Sequence, residues 1–248
     1  MELARVMQIW PAIDLRGGRC VRLQQGDYGR ETVFGEDPAA MARHWASQGA
    51  DRLHLVDLDG ARDGKAGNRA SIEAIVRAVD FPCQLGGGIR DEAAIRDRLS
   101  LGVARVVIGT AALKEPEWFR KMCRLFPGKL CLGIDARDGW VATAGWLETS
   151  QTKAYDLARQ FLDEPLAAVI FTDIATDGML AGPNAPAMAE MQQTMAKVGV
   201  IASGGVTTAA DVARLAAVPM AGAIIGRALY EGTLTLTDAL AAAKNGAK

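Results

Sequence analysis

The chain has 248 residues, half of them hydrophobic, and 28 Lys+Arg against 29 Asp+Glu give a net charge of −1. This length fits two small domains or one α/β barrel, a fold of typically about 250 residues. The balanced charge, without a basic or acidic block, gives no support to a nucleic-acid or membrane-surface role, and no apolar run is long enough to cross a bilayer.

In chain order, the residues before Met7 are too short and too charged for a secretory signal. They read either as a disordered extension or as a product of start-codon choice. Eight apolar, β-branched runs follow, at about 8–14, 52–57, 81–86, 103–109, 130–135, 167–173, 199–203 and 221–226. Segments of helical period separate them, near 38–48, 69–79, 91–99, 115–125, 152–163, 184–196, 208–216 and 235–244. The first of these shows its own ends: Asp37 as N-cap, Pro38 at the first helical position, and Gly49 just beyond. The strands are nearly continuous apolar runs rather than alternating ones, as strands buried on both faces should be.

Eight βα units predict a parallel sheet. With no GxGxxG after the first strand, they favour a closed (β/α)8 TIM barrel over an open sheet. It is expected to fill residues 1–248 as one domain, with half-barrels at about 7–125 and 126–248. The longest non-helical connections are expected at 15–36, 58–68, 136–151 and 174–183, all at the C-terminal ends of strands, where such barrels build their active sites.

The halves show in a repeat. Gly87, Gly88 and Gly109-Thr110 end the third and fourth strands. Gly204, Gly205 and Gly226-Arg227 end the seventh and eighth at a constant offset of 117 residues. Backbone amides bare of side chains at strand ends make phosphate nests. One Gly-Gly pair is weak evidence; two matched loop pairs half a barrel apart imply a substrate with a phosphate at each end. An aspartate placed in either nest, by Gly88→Asp or Gly205→Asp, is expected mainly to weaken binding.

The first and fifth strands end in Asp14 and Asp135, each followed two residues later by an arginine. These strands lie opposite each other in an eightfold barrel, so two carboxyls face across the mouth. That suits acid and base work on a substrate lying between, provided one of them holds its proton. The alternative is that each caps a loop or pairs with Arg16 or Arg137. Asp57 and Asp173 also match and read equally as structural, while Thr172 and Asp177 are candidates for hydrogen bonding or proton handling. Trp146, on the loop after strand five, either stacks on a flat heterocycle or anchors the loop. His44 lies on a helix and His54 inside a strand, positions that do not favour a histidine or zinc mechanism. No serine lies in a nucleophile elbow, and no lysine lies within a clear apolar strand. The four cysteines (Cys20, Cys83, Cys123, Cys131) form no CxxC pair and no metal-ligand spacing, and read as thiols of a reducing cytosol.

The motifs Pro11-Ala12-Ile13-Asp14-Leu15, Val21-Arg22-Leu23-Gln24-Gln25-Gly26-Asp27-Tyr28, Gly86-Gly87-Gly88-Ile89-Arg90, Thr172-Asp173-Ile174, Asp177-Gly178-Met179-Leu180 and Gly226-Arg227-Ala228-Leu229 resemble the phosphoribosylformimino-5-aminoimidazole carboxamide ribotide isomerase family of histidine biosynthesis, over about residues 8 to 240. The resemblance implies a duplicated barrel and an Amadori rearrangement of a bisphosphate aminoaldose to an aminoketose, without metal or organic cofactor. It makes Asp135 the general acid and Asp14 the base, with Thr172 and Asp177 close to the reacting centre. Gly178, Arg90, Arg22 and Trp146 join the substrate-binding set. A cytoplasmic monomer with a small-molecule substrate, and neither nucleic acid nor membrane as partner, is expected.

Two related families differ at informative places. The synthase (cyclase) subunit of the next step carries a lysine where this chain has Arg22, and serine in place of Thr172-Asp173. A bifunctional isomerase that also serves tryptophan biosynthesis carries an arginine two residues before the strand-five tryptophan; here that residue is Ala144. That arginine is absent here, and Arg137 lies on the same loop.

Overall fold

The computed structural model describes residues 6–64, 67–143 and 145–246; Ala144 and the residues before Val6 lie outside them. Eight parallel strands form the barrel: β1 (Gln8–Arg16), β2 (Leu53–Asp57), β3 (Cys83–Gly86), β4 (Arg105–Ile108), β5 (Leu130–Arg137), β6 (Ala168–Asp173), β7 (Val200–Ser203) and β8 (Gly222–Ile225). Each pairs with the next, and β8 pairs back onto β1, so the sheet closes with no free barrel edge. β1 and β5 are thereby four strands apart on the ring.

Most of the expected helices form within a residue or two of their predicted bounds, because each carries its own end signals. Asp37 accepts from the amides of Ala39 and Ala40 ahead of helix Pro38–Ser47, and Thr208 makes a capping box with Asp211 ahead of helix Ala209–Ala216. The expected connection at 58–68 is not wholly irregular. Leu58–Asp63 is a short helix, started by the Asp57 carboxyl accepting from Gly60 N and stopped by Gly64 in the left-handed region. The connection at 15–36 is an antiparallel hairpin (Arg19–Gln24 and Asp27–Gly35) continuing from β1. Trp140–Thr143 and Glu148–Lys153 build a second one on β5, and this strand shortens the helix expected at 152–163 to Ala154–Arg159.

Strand periodicity aims the site. Successive side chains point to opposite faces, so residues two apart share one. Trp10, Ala12 and Asp14 follow one another along β1, and Cys131, Gly133 and Asp135 along β5. The lower members of these rows join Ala168, Ile170, Ile201 and Ile224 in a small apolar cluster separate from the main core. Above it lies a polar layer: Arg105 donates to Gln84 Oε1 at 2.8 Å, and Gln84 Nε2 pairs with His54 Nδ1 at 2.8 Å. Since the amide oxygen is taken by Arg105, its nitrogen donates to His54, which makes Nδ1 the acceptor. Burial, with Arg22 and Arg105 nearby, pushes His54 down to about 3, so this histidine is a neutral part of the floor.

Candidate active site

The C-terminal mouth holds a cavity of about 510 Å³. All sixteen residues singled out from the sequence line it: Asp14, Asp135, Thr172 and Asp177; Gly87, Gly88, Arg90, Gly109 and Thr110; Gly178, Gly204, Gly205, Gly226 and Arg227; and Arg22 and Trp146. His54 forms part of its floor, while Lys114 and Glu115, which sequence reading passed over, stand on its rim.

The two carboxyls are held differently. Asp14 Oδ2 is 2.9 Å from Arg22 Nη1, a residue brought over the mouth by the first hairpin. Asp135 Oδ2 accepts from Trp146 Nε1 at 2.8 Å, and the Thr172 hydroxyl bonds it from the adjoining position on β6. Burial raises both carboxyls above the ordinary range. Against it, Asp14 has the opposing charge of Arg22, whereas Asp135 has only neutral hydrogen bonds. Neither pairs with the nearby arginine considered from sequence: Arg16 bonds Glu31 and the Tyr28 carbonyl, and Arg137 is exposed. Asp177, on the loop after β6, is the third carboxyl. Burial pushes it up to about 6; Arg22 works against this, and the charges of Asp14 and Asp135 add to it.

The glycine loops repeat in backbone as well as in letters. Gly87 and Gly88 have φ of 107° and 73°, Gly204 and Gly205 of 94° and 82°. Gly109 and Gly226 share φ near −110°, and each precedes a one-turn helix beginning at Thr110 or Arg227. The reason for glycine here is close backbone approach. A Cβ on Gly87 would overlap the Asp57 carbonyl, and one on Gly88 the Gly60 carbonyl. On Gly204 it would stand 2.7 Å from the Asp173 carbonyl, and on Gly205 it would overlap that of Gly182. Each glycine pair thus clasps the preceding loop of its own half. This corrects the expectation for Gly88→Asp and Gly205→Asp: both replacements strike backbone in a left-handed conformation, so they break the loop before they test its ligand.

Asp57 and Asp173 are structural pieces of those clasps. Asp57 is fully buried and accepts from Asn68 Nδ2 at 2.7 Å, from Gly60 N at 3.0 Å and from Arg98 Nη2 at 3.3 Å. Asp173 accepts from Asn184 Nδ2 at 2.7 Å and Ala175 N at 2.9 Å. The two asparagines were missed from sequence, although they repeat at the same 116-residue offset as the aspartates they hold. The second glycine loop is braced further by Arg227, whose Nη1 donates to Gly178 O at 2.6 Å. On the first loop the equivalent position is Thr110, and the cations are Arg90 and Lys114, both exposed. Among the described residues there is no group of three or more His, Cys, Asp or Glu side chains that could hold a metal, and no helix is long and apolar enough to cross a membrane.

Comparison with known proteins matches residues 8–235 to a family model described as histidine biosynthesis protein. A protein of Rhodopirellula baltica is 52% identical over 235 residues, covering 94% of this chain and 92% of its own. Proteins of Gloeothece citriformis and Geobacter sulfurreducens are each 51% identical over 243 residues, covering 97% of this chain and 94% and 99% of their own. All three are named 1-(5-phosphoribosyl)-5-((5-phosphoribosylamino)methylideneamino) imidazole-4-carboxamide isomerase.

Proposed function

The chain belongs to the histidine biosynthesis protein family, and from that premise we infer that it is the isomerase its relatives are named for, an aldose–ketose isomerase that rearranges a bisphosphate aminoaldose to the aminoketose. The two phosphoribosyl groups in the relatives' name match the two-ended substrate that the duplicated glycine loops call for. One phosphate sits at Gly87, Gly88, Gly109 and Thr110 with Arg90, the other at Gly204, Gly205, Gly226 and Arg227 with Gly178. The reacting ribose lies between them, and Trp146 shares its face of the mouth.

Asp135 is the general acid. It gives its proton to the ribose ring oxygen, the C1–O bond breaks, and the nitrogen lone pair forms an iminium. Asp14 is the base. It takes the proton from C2, the electrons move into the C1–C2 bond to give an enolamine, and tautomerisation yields the ketone. The observation that carries this assignment is the difference in partners: a guanidinium favours the ionised form of Asp14, while a buried carboxyl with only neutral donors favours the proton on Asp135. A second reading has its own observation. Asp177, pushed up to about 6, is a reserve acid on the same side of the mouth as Arg22. Asp177→Asn with turnover abolished and Asp135→Asn with turnover largely kept would transfer the acid role to Asp177.

The barrel works as two half-barrels, 7–125 and 126–248, in a cytoplasmic monomer that needs no cofactor. Purified protein incubated separately with the aminoaldose and with phosphoribosylanthranilate tests the function. Conversion of the first alone is expected, because position 144 is alanine rather than arginine. Failure to convert the aminoaldose would overturn the reading.

A further inference from the structure

The guanidinium of Arg22 stands among groups that the reaction would use separately. Nη1 holds Asp14 at 2.9 Å. The same fork lies so close over Cα of Gly226 that a methyl group there would overlap it. Asp177 adds a further attraction. Yet Arg22 Nε is buried with no hydrogen-bond partner, and the residue as a whole is only 9% exposed. An arginine offers five donors in a fixed fork. Here part of the fork is spent on the base, and the guanidinium as a whole lies against the glycine that opens the second phosphate loop.

We propose that Arg22 is a positioning residue that exchanges partners: it pairs with Asp14 in the empty enzyme, turns to the substrate phosphate seated at Gly226, and so releases the base only when substrate is in place. The proposal rests on Asp14 being the base and on the loop at Gly204, Gly205 and Gly226 being a phosphate grip. A phosphate accepts the guanidinium fork in bidentate fashion and carries more charge than a carboxylate, so it competes well for it. The groups that act on Asp14 are Cys20 and Arg22 on the hairpin, Asp177 after β6 and Tyr230 after β8, and His54 on β2 and Asp135 on β5 line the same cavity. Arg22 is the cation in this set, His54 being neutral. Without the guanidinium, Asp14 becomes a stronger base. The distal phosphate thereby contributes to kcat and not to KM alone.

The test follows the Asp14 carboxyl by carbon-13 NMR in the full protein, its resonance identified by its loss in Asp14→Asn, with and without saturating inorganic phosphate. In the native protein, phosphate should move its titration upward by about one pH unit or more. In Arg22→Gln the titration should start high and move little. Arg22→Lys, which keeps the charge without the fork, should likewise lose most of the phosphate-driven shift and covers the case in which the glutamine variant does not fold. The acid limb of kcat should lie above that of kcat/KM in the native enzyme, and the two limbs should converge in Arg22→Lys. An equal phosphate-driven shift in native and variant proteins would mean that the phosphate acts by its field alone, and would overturn the exchange. No shift in the native protein at saturation would overturn it too. Native-like turnover by Asp14→Asn is a separate failure, that of the base assignment, whichever way the titration comes out.

Discussion

The two halves of the barrel agree in their glycine loops and differ around their strand-end carboxyls. Gly87-Gly88 and Gly204-Gly205 share left-handed φ angles, close on the carbonyls of the matched Asp57 and Asp173, and rest on an aspartate held by an asparagine at 2.7 Å in each half. The carboxyls on β1 and β5 are equally matched in position, but one is met by an arginine and the other by an indole and a hydroxyl. The distinguishing partners Arg22 and Trp146 come from the strand-built flaps above the barrel. On the proposed reading, geometry common to both halves sets where a two-ended substrate lies, and the partners from the flaps set the two carboxyls apart.

The largest break in this comparison is removal of either carboxyl. Asp14→Asn and Asp135→Asn should each lower kcat by about 10²–10⁴-fold, the usual worth of a positioned acid or base, with substrate binding retained when measured by calorimetry. Removing one grip's cation comes next. Arg227→Gln deletes the charged fork at the second loop and should raise KM by roughly 10–100-fold, whereas Thr110→Val at the matching place should raise it only about fivefold. No effect of either replacement would mean that the loops bind through backbone alone.

Trp146→Phe tests the asymmetry of proton affinity. The indole hydrogen bond favours ionised Asp135, so its loss raises the acid's pKa further. The acid then keeps its proton to higher pH, and the alkaline limb of the kcat profile should move up by about one unit. A limb that stays in place would separate Trp146 from the acid's titration. The smallest expected effects on turnover come from the clasps. Asn68 is buried and bonds Asp57, Asp59, the Leu15 carbonyl and the Gly18 amide, whereas Asn184 is half-buried with two bonds. Asn68→Ala should cost about 2–3 kcal/mol of stability by denaturant titration and Asn184→Ala about 1 kcal/mol.

The eight strands and most of the helices were legible in the sequence because burial on both faces writes apolar runs and capping residues mark the ends. The flaps were not. Asp27–Gly35 is exposed or half-buried throughout, and Glu148–Lys153 is polar at every position, so neither carries the alternation that announces a strand. Helix Leu58–Asp63 was hidden by its composition of two aspartates and a glycine, although Asp57 and Gly64 were there to cap it. That Asp14, Asp135 and the paired glycines line one mouth was legible through the repeat, not through any single letter: an aspartate at a strand end means little until its partner is found half a barrel away. Arg22 pairing with Asp14 in place of Arg16 could not be read, because the hairpin that turns it over the mouth follows from pairing rather than from pattern.

The glycine clasps also make the mouth a gauge of fixed span. Both glycine pairs are pinned backbone to backbone onto the loops beneath them, so the gap between them follows the width of the barrel rather than the reach of any side chain. A molecule gripped at both ends cannot lengthen when its ring opens. On the proposed reading, the slack released by the broken ring is taken up in the substrate's own torsions, between the two carboxyls.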